Sequence, residues 1–293
     1  MHPGKITPSE SAPRLSIVIR TFNSAKTIKR LLPFLTCRTG VEIIIIDSGS
    51  SDQTTEICSQ FVSKISRPSH PFHYSKALNF GFAQSLGPWV LVISSHCIPT
   101  STDFIDNVLR FSESADPNCV VGYGKLNVVT PKMGSLKTIG GPQTFESGKF
   151  FPGGNGLAVY RRSAWETHPF DEDIDTAEDL EWFIWAMRQG FTARFIPGLT
   201  AIYLNQGSLR HMFRKGWREV RRTRILLPDS RKSVVGASSG LFVGFAYYFW
   251  LALRLKIPVG TMFRQCAHAL GAFLAEFFPL KPQAPSKVEK ILR

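Results

Sequence analysis

Along its first hundred residues the chain alternates short apolar runs with stretches of helical periodicity. Leu15-Ser-Ile-Val-Ile19 reads as a strand that ends at Arg20-Thr-Phe-Asn23, and Ser24 is placed to cap a helix continuing through Leu32. Val41-Glu-Ile-Ile-Ile-Ile46 is a nearly continuous β-branched run, the mark of a strand covered on both faces in a parallel sheet. It stops at Asp47-Ser-Gly-Ser-Ser-Asp52, after which Ile57, Phe61 and Ile65 are spaced for one apolar helix face and predict a helix to about Lys64. Trp89–Ile93 is a third strand and leads into Ser94-Ser-His-Cys-Ile-Pro99. Phe104, Ile105, Val108 and Leu109 then form the inward face of another helix. This alternation predicts a doubly wound α/β domain.

Residues 125–155 read as a long Gly- and Pro-rich connection, which inside a compact domain marks a candidate functional loop. Gly156–Tyr160 predicts a strand, and Ala177–Gln189 a helix ended by Gly190. Two short strands are expected at Ala193–Ile196 and Thr200–Leu204, then a basic helix from Ser208 to Leu226. The remainder is apolar helical segments with basic punctuation. The pattern divides the chain into a flexible 1–14, an α/β domain over 15–226 and a helical, basic and apolar segment over 227–293.

Composition narrows the class. With 43% hydrophobic and 19% charged residues the chain is no disordered tail, and its 23 Gly and 19 Pro exclude collagen-like or low-complexity readings. The net charge of +13 is very unevenly placed. Residues 1–205 hold 19 basic and 18 acidic side chains, whereas 206–293 hold 16 basic and 4 acidic. Such an asymmetry points to an anionic partner, lipid or nucleic acid, for the last third. The five cysteines are scattered and form no CxxC pair, against a disulfide framework or a structural zinc site. Met1–Pro13 lacks the apolar run of a signal peptide, so a reducing, cytoplasmic setting is expected. Val234–Leu253 is uncharged over 20 residues, the length of a spanning helix, although its glycines, serines and aromatic centre weaken that reading.

In open α/β sheets ligands bind at the carboxyl ends of the strands. The first three strands deliver polar residues there: Thr21 and Asn23, Asp47 to Asp52, and Ser95 with His96. Asp47 follows directly on the isoleucine run, so its carboxylate is available to ribose or base donors; a helix cap plus turn is the alternative. Neither a GxGxxG nor a Walker A pattern is present, against dinucleotide oxidoreductases and P-loop NTPases.

Six groupings occur in order. Ser16-Ile-Val-Ile-Arg-Thr-Phe-Asn23 and Ile45-Ile-Asp-Ser-Gly-Ser-Ser-Asp52 precede Tyr74-Ser-Lys-Ala-Leu-Asn-Phe-Gly81. Gly153-Gly-Asn-Gly-Leu-Ala-Val-Tyr160 and Phe170-Asp-Glu-Asp173 come before Ala177-Glu-Asp-Leu-Glu-Trp182. Together, over about residues 15–225, they resemble a family 2 glycosyltransferase of the GT-A fold, a Rossmann-like doubly wound mixed sheet, here with C-terminal amphipathic helices. The resemblance implies an inverting transfer of a sugar from a nucleotide-diphosphate donor to an acceptor hydroxyl. It implies that Thr21, Asn23, Asp47, Ser48, Gly49 and Ser50 frame the nucleoside and that Asp52 mainly starts the second helix. Lys76 and Asn79 match positions near the nucleotide and diphosphate; a solvated helix charge is the alternative for Lys76.

The main departure from the family pattern follows the third strand. An Asp-x-Asp type motif holding Mg or Mn is usual there, whereas this chain has Ser94-Ser95-His96-Cys97 and no carboxylate. Three readings stay open: His96 ligates Mn with help from elsewhere, it hydrogen-bonds phosphate without metal, or the site is damaged. Cys97 reads as buried packing. Inverting transfer needs a base, and the resemblance gives that role to Asp179, with Glu178 assisting; acids complementing a helix dipole are the alternative. Gly153, Gly154 and Asn155 are expected to allow backbone approach to the sugar, with Trp182 on the acceptor side. Asp171, Glu172, Asp173 and Asp175 read as a solvated acidic loop.

Arg210, Arg214, Arg218, Arg221 and Arg222 recur at three- and four-residue spacing and place a guanidinium stripe on one helix. The run Arg214-Lys-Gly-Trp217 loosely resembles the family element that closes over the diphosphate, and His211 either faces that site or lies on the surface. The charge and neighbouring aromatics favour a lipid surface, hence a peripheral place on the inner face of the membrane and a lipid-linked or membrane glycan acceptor. Two competing functions remain: a catalytically impaired sugar-nucleotide-binding protein of the same fold, and a nucleic-acid binder. The second is disfavoured because the aromatics sit in apolar runs rather than between basic residues.

Overall fold

The apolar runs form strands and the periodic stretches form helices. In the computed structural model the described residues are 12–36, 38–62, 64–69, 72–129, 137–139, 154–174, 176–204, 208–226, 241, 245–246 and 259–277. In chain order they give β1 (Leu15–Thr21), α1 (Ala25–Leu35), β2 (Val41–Asp47), α2 (Thr54–Ser59), β3 (Lys64–Ser66) and α3 (Tyr74–Ala83). Next come β4 (Trp89–Ser94), β5 (Cys97–Pro99), α4 (Phe104–Ser114), β6 (Cys119–Val129), β7 (Lys137–Ile139) and β8 (Leu157–Arg161). The chain continues through α5 (Arg162–Thr167), α6 (Glu178–Arg188), β9 (Thr192–Leu204), α7 (Leu209–Leu226) and α8 (Val259–Phe277).

The strands join in the order β3-β2-β1-β4-β8-β6-β9-β5, with β7 on β6. β1 pairs in parallel with β2 and with β4, and β2 in parallel with β3. β8 runs antiparallel to β4 and to β6, so the sheet is mixed. Successive β1 residues face opposite layers: Ile17 and Ile19 pack toward Leu31 and Phe104, Val18 toward Leu78 and Phe82. Both faces are covered, which is why β1, β2 and β4 read as continuous apolar runs rather than alternating ones. Each fully buried isoleucine contributes roughly 1.5–3 kcal/mol to this arrangement.

Four expectations shift. The second helix ends at Ser59, and Ile65, spaced as its last apolar position, instead pairs with Ile45 as edge strand β3. Pairing there satisfies the outer backbone groups of β2, which a longer helix would leave to water. The two short strands at 193–204 are one strand, β9, carried through Pro197 and Gly198, whose φ is +81. Cys97–Pro99 is not loop but pairs with Ala201–Tyr203, and β6 runs to Val129, into the stretch read as a connection. Apart from β7, 130–153 of that connection lies outside the described residues, as do 1–11 and most of 234–253. Cys58, Cys97 and Cys119 are buried, and burial together with the Asp47 charge pushes the Cys58 thiol up to about 12.

Helix α7 groups with α8 rather than with the sheet, so the division falls after Leu204 and not at 226. The reason lies in two glycines. A Cβ on Gly216 would stand 2.1 Å from the His268 carbonyl oxygen, and one on Gly271 2.1 Å from that of Phe213, so the two helices meet backbone to backbone. His268 Nε2 and Glu219 Oε2 lie 2.9 Å apart across the same contact. The arginine stripe is not uniformly solvated: Arg210 and Arg214 are exposed, Arg218 and Arg221 half-buried and Arg222 buried. Among the described residues, no helix is long and apolar enough to cross a membrane.

Two glycines separate packing from backbone strain. A Cβ at Gly124 would meet the Leu199 carbonyl oxygen at 2.2 Å, whereas Gly190, at φ +78, has nothing within 4 Å. Urea melts of Gly124→Ala are expected to show a loss of about 1–3 kcal/mol, and Gly190→Ala a loss of about 1 kcal/mol.

Candidate active site

Because β1, β2 and β4 are parallel, their carboxyl ends lie along one edge, and the reversal of strand order falls between β1 and β4. Thr21 and Asp47 form the last register pair of β1 and β2. Asp47 is buried and fully engaged by its own loop. Its Oδ1 accepts from Thr21 Oγ1 (2.9 Å) and Ser50 Oγ (2.6 Å), its Oδ2 from the amides of Gly49 (2.9 Å) and Ser50 (2.8 Å). The carboxylate expected to meet ribose or base therefore shapes the turn instead. Ser48 donates its amide to the Thr21 carbonyl at 2.9 Å. Gly49, at φ +92, also leaves room for Arg67, whose Nη2 would stand 2.5 Å from an added Cβ.

Asn23, at φ +47, ties the β1 end to the same turn: its amide donates to Ser50 Oγ and its Oδ1 accepts from the Ser51 amide. Ser24 does not cap α1 with its side chain. Asp52 does, accepting from the Ala25 amide at 3.1 Å while its other oxygen accepts from the Thr54 amide, so it serves both helices. Ser24 Oγ shares a 2.9 Å hydrogen bond with Ser95 Oγ across the switch point. Phe22, between Thr21 and Asn23, is 60% exposed. It was missed in the sequence, although an aromatic between two polar residues just beyond a buried strand is a readable signal.

β8 runs antiparallel to β4, so its beginning arrives at this same edge. The Ser94 amide donates to the Gly156 carbonyl at 3.1 Å. Asn155 is the junction. Its amide donates to Asp179 Oδ2 (2.9 Å), its Nδ2 donates to Glu178 Oε1 (3.0 Å), and its Oδ1 accepts from the Tyr160 hydroxyl (2.6 Å). Gly154 makes that approach possible, since a Cβ there would lie 2.6 Å from Asp179 Oδ2. Both acids open α6 from Ala177, a non-glycine residue at φ +62, a strain of order 1–3 kcal/mol of the kind that concentrates at functional sites.

The electrostatics of the pair are uneven. Glu178 is buried, with Oε1 3.6 Å from Nη1 of Arg20 at the end of β1. Burial first, then the Glu178 charge, raises the Asp179 carboxyl from 3.8 to about 7, against the lowering effects of the Asn155 and Leu180 amides and of Arg20. Burial and the same two carboxylates hold the Tyr160 phenol well above its ordinary range. Arg20 and Tyr160 were not singled out in the sequence; the readable signal for Arg20 is a charged residue in the inward register of a buried strand.

Other expected residues sit elsewhere. Asn79 uses its full capacity within the protein: Nδ2 donates to the Phe170 carbonyl and to Glu172, and Oδ1 accepts from Trp165 Nε1 and the Phe170 amide. It fastens α3 to the 170–172 turn, which corrects its assignment to the diphosphate. That turn is no uniformly solvated acidic loop, since Asp171 is buried in it while Glu172 and Asp173 are exposed. Trp182 has no exposed surface; its ring packs on Tyr160 and its Nε1 donates to the His168 carbonyl, so it supports the site from the core instead of touching acceptor. Lys76 is half-buried on the first turn of α3. His211 and Arg214 are exposed on α7, and Trp217 is half-buried there with Phe213 and Arg221 against its ring. Gly153 lies outside the described residues.

The segment after β4, Ser94 to Pro99, offers no carboxylate to a divalent cation. Ser95 Oγ is engaged by Ser24, the His96 ring packs edge-on against Tyr203 at 4.6 Å, and no group of three His, Cys, Asp or Glu among the described residues could hold a metal ion.

Residues 16–165 match the family model of Glycosyl transferase family 2, and the chain belongs to that family. A probable glycosyltransferase, YdaM of Bacillus subtilis (strain 168), is 26% identical over 208 residues, 63% of this chain and 49% of the relative. The chain thus spans about half the length of that relative. TarS from S. aureus in complex with UDP-GlcNAc superposes with a TM-score of 0.54 at 19% identity, covering 90% of this chain and 81% of TarS. The mannosyltransferase PcManGT from Pyrobaculum calidifontis, in complex with GDP-Man and Mn2+, gives 0.51 at 15% identity over 94% and 77%. Glucosyl-3-phosphoglycerate synthase from Mycobacterium tuberculosis with phosphoglyceric acid gives 0.53 at 17% over 75% and 82%. At such identities the likeness establishes the fold, GT-A, and nothing finer.

The Asn79 network yields a direct check. Asn79→Ala orphans the Trp165 and Phe170 donors, each costing about 1–3 kcal/mol where buried. Thermal and urea unfolding of Asn79→Ala are expected to show a loss of a few kcal/mol, with donor affinity of the folded fraction unchanged.

Proposed function

We propose that the chain is an inverting glycosyltransferase that moves a sugar from a nucleotide-diphosphate donor to an acceptor hydroxyl. The observation that carries this reading is the Glu178–Asp179 pair on the ligand edge of the sheet, with Asp179 poised to exchange a proton near neutral pH. The nucleoside lies along Thr21–Asn23 and the 48–50 turn, with Phe22 offering an exposed ring to the base. Lys76, on the first turn of α3, supplies positive charge for the diphosphate.

The displacement balances simply. Asp179 takes the proton of the acceptor hydroxyl, the oxygen forms a bond to the anomeric carbon, and the carbon–oxygen bond to the diphosphate breaks on the opposite face. The nucleoside diphosphate leaves with that electron pair. Glu178 orients the site through its hydrogen bond with Asn155. A base must be deprotonated to act, so kcat/KM rises with pH to a plateau with a midpoint near 7.

The acceptor we assign is a lipid-linked sugar or membrane glycan, met at an anionic lipid surface by the C-terminal unit. Two observations support this assignment. The last 88 residues carry 16 basic and 4 acidic side chains, and on α8 the exposed residues Phe263, Leu270 and Phe277 recur every seven positions along one stripe.

With UDP- and GDP-sugars as donors, Asp179→Asn is expected to lower transfer about 10²- to 10⁴-fold while donor binding persists. Equal transfer by the variant ends the base assignment, and donor binding without transfer by the wild type favours the catalytically impaired reading. In flotation with the full chain, replacing Phe263, Leu270 and Phe277 together by serine is expected to weaken binding to anionic vesicles at least tenfold. Equal binding by that variant removes the stripe from the membrane assignment.

A further inference from the structure

Arg20 sits where a buried strand ordinarily carries an apolar residue. It lies in the register of Val18, facing the layer of α3 and α6, and its side chain is 11% exposed. Its guanidinium carbon stands 5.1 Å from the centroid of the Tyr74 ring, and Nη1, which is buried, has no hydrogen-bond partner. The one carboxylate it faces is Glu178, at 3.6 Å. An ion buried this way is costly unless it compensates another charge. Here the other charge belongs to one acid of an adjacent pair, and Asn155 reaches both acids.

We propose that Arg20 is a positioning residue for this site: it holds the negative charge on Glu178 and thereby leaves Asp179 as the carboxyl that carries the mobile proton. The assignment rests on the transferase reading for its chemical purpose, but not for its electrostatics. The charged and titratable groups around the pair are Arg20 from β1, Tyr160 from β8 and Tyr74 from α3, the last against Arg20. Glu181, on α6 itself, is turned to His168, with Oε1 and Nε2 3.0 Å apart. Arg20 is thus the one cation that an ion pair places at the two acids among the described residues. With its charge present, full ionisation of the pair is eased; without it, the second proton is held to higher pH.

Two readouts test this in the full-length protein. The first needs no activity. Asp179 ionises at about 7 in the folded protein and at an ordinary 3.8 when unfolded, so between these values the folded state holds a proton that the unfolded chain has lost. Stability therefore falls as pH rises through that window and levels off above it. In Arg20→Gln the upper edge of the window is expected to move up by about one pH unit, and the midpoint of the kcat/KM profile to move with it. Arg20→Lys keeps the charge and is expected to stay within a few tenths of a unit of wild type. If Arg20→Gln does not fold, Glu178→Gln takes its place, and the edge is expected to move to acid.

An unmoved edge in Arg20→Gln, or an equal shift in Arg20→Lys, overturns the assignment, because either result means the charge of Arg20 is not what divides the pair. An unmoved edge in Glu178→Gln overturns it as well. A shifted stability edge in a protein that transfers no sugar supports the Arg20 assignment while removing the transferase reading. A merely structural Arg20 lowers kcat at every pH without moving either midpoint.

Discussion

Two carboxylates adjacent in the chain and lodged against a sheet edge cannot ionise independently. Each charge raises the cost of the other, and burial adds to that cost at Asp179. Among the described residues, that constraint is met by the Arg20 guanidinium on one side of the pair and by an asparagine that donates to both acids. Arg20 contacts Glu178, and Asn155 gives its side-chain NH to Glu178 and its backbone NH to Asp179. The acids are alike in type and unlike in surroundings. That difference is what the proposed division of labour between the two acids rests on.

The rest of the fold serves this difference. Parallel β1 ends on Arg20 and Thr21, so the guanidinium reaches the edge from the centre of the sheet. Antiparallel β8 begins at the same edge and delivers Asn155, with Gly154 bare of a side chain so that Asp179 can close on the backbone. Helix α6 brings both acids from a strained Ala177, and the aromatic core of Tyr160, Phe170, Trp182 and Phe183 holds that helix in place. Asn79 secures the turn leading into α6 with four hydrogen bonds. The ends of β1 and β2 are built more simply, from polar groups that satisfy one another around Asp47.

Much of this was legible before any coordinates. The isoleucine run of β2 announced a strand buried on both faces, and the acids at 178–179 were read at the start of a helix, where α6 begins. What was illegible depends on partners distant in the chain. Asn79 looked like a ligand group because nothing local reveals that Phe170, Glu172 and Trp165 consume its donors and acceptors. Trp182 looked available because helical spacing does not say that Tyr160 and His168 enclose it. Asp47 looked free to meet a ribose because the turn of Gly49 and Ser50 folds back on it only in three dimensions. Arg20 was overlooked for the opposite reason: it ends an apolar run, and its importance appears only once α6 is brought against it.

The central claim, that Asp179 is the proton-carrying member of the pair, is open to direct observation. Carbon-13 NMR of the aspartate carboxyls in the full-length protein, with Asp179→Asn to assign the resonance, follows its ionisation with pH. The account predicts a midpoint near 7 for Asp179. A midpoint in the ordinary aspartate range, near 4, would contradict it.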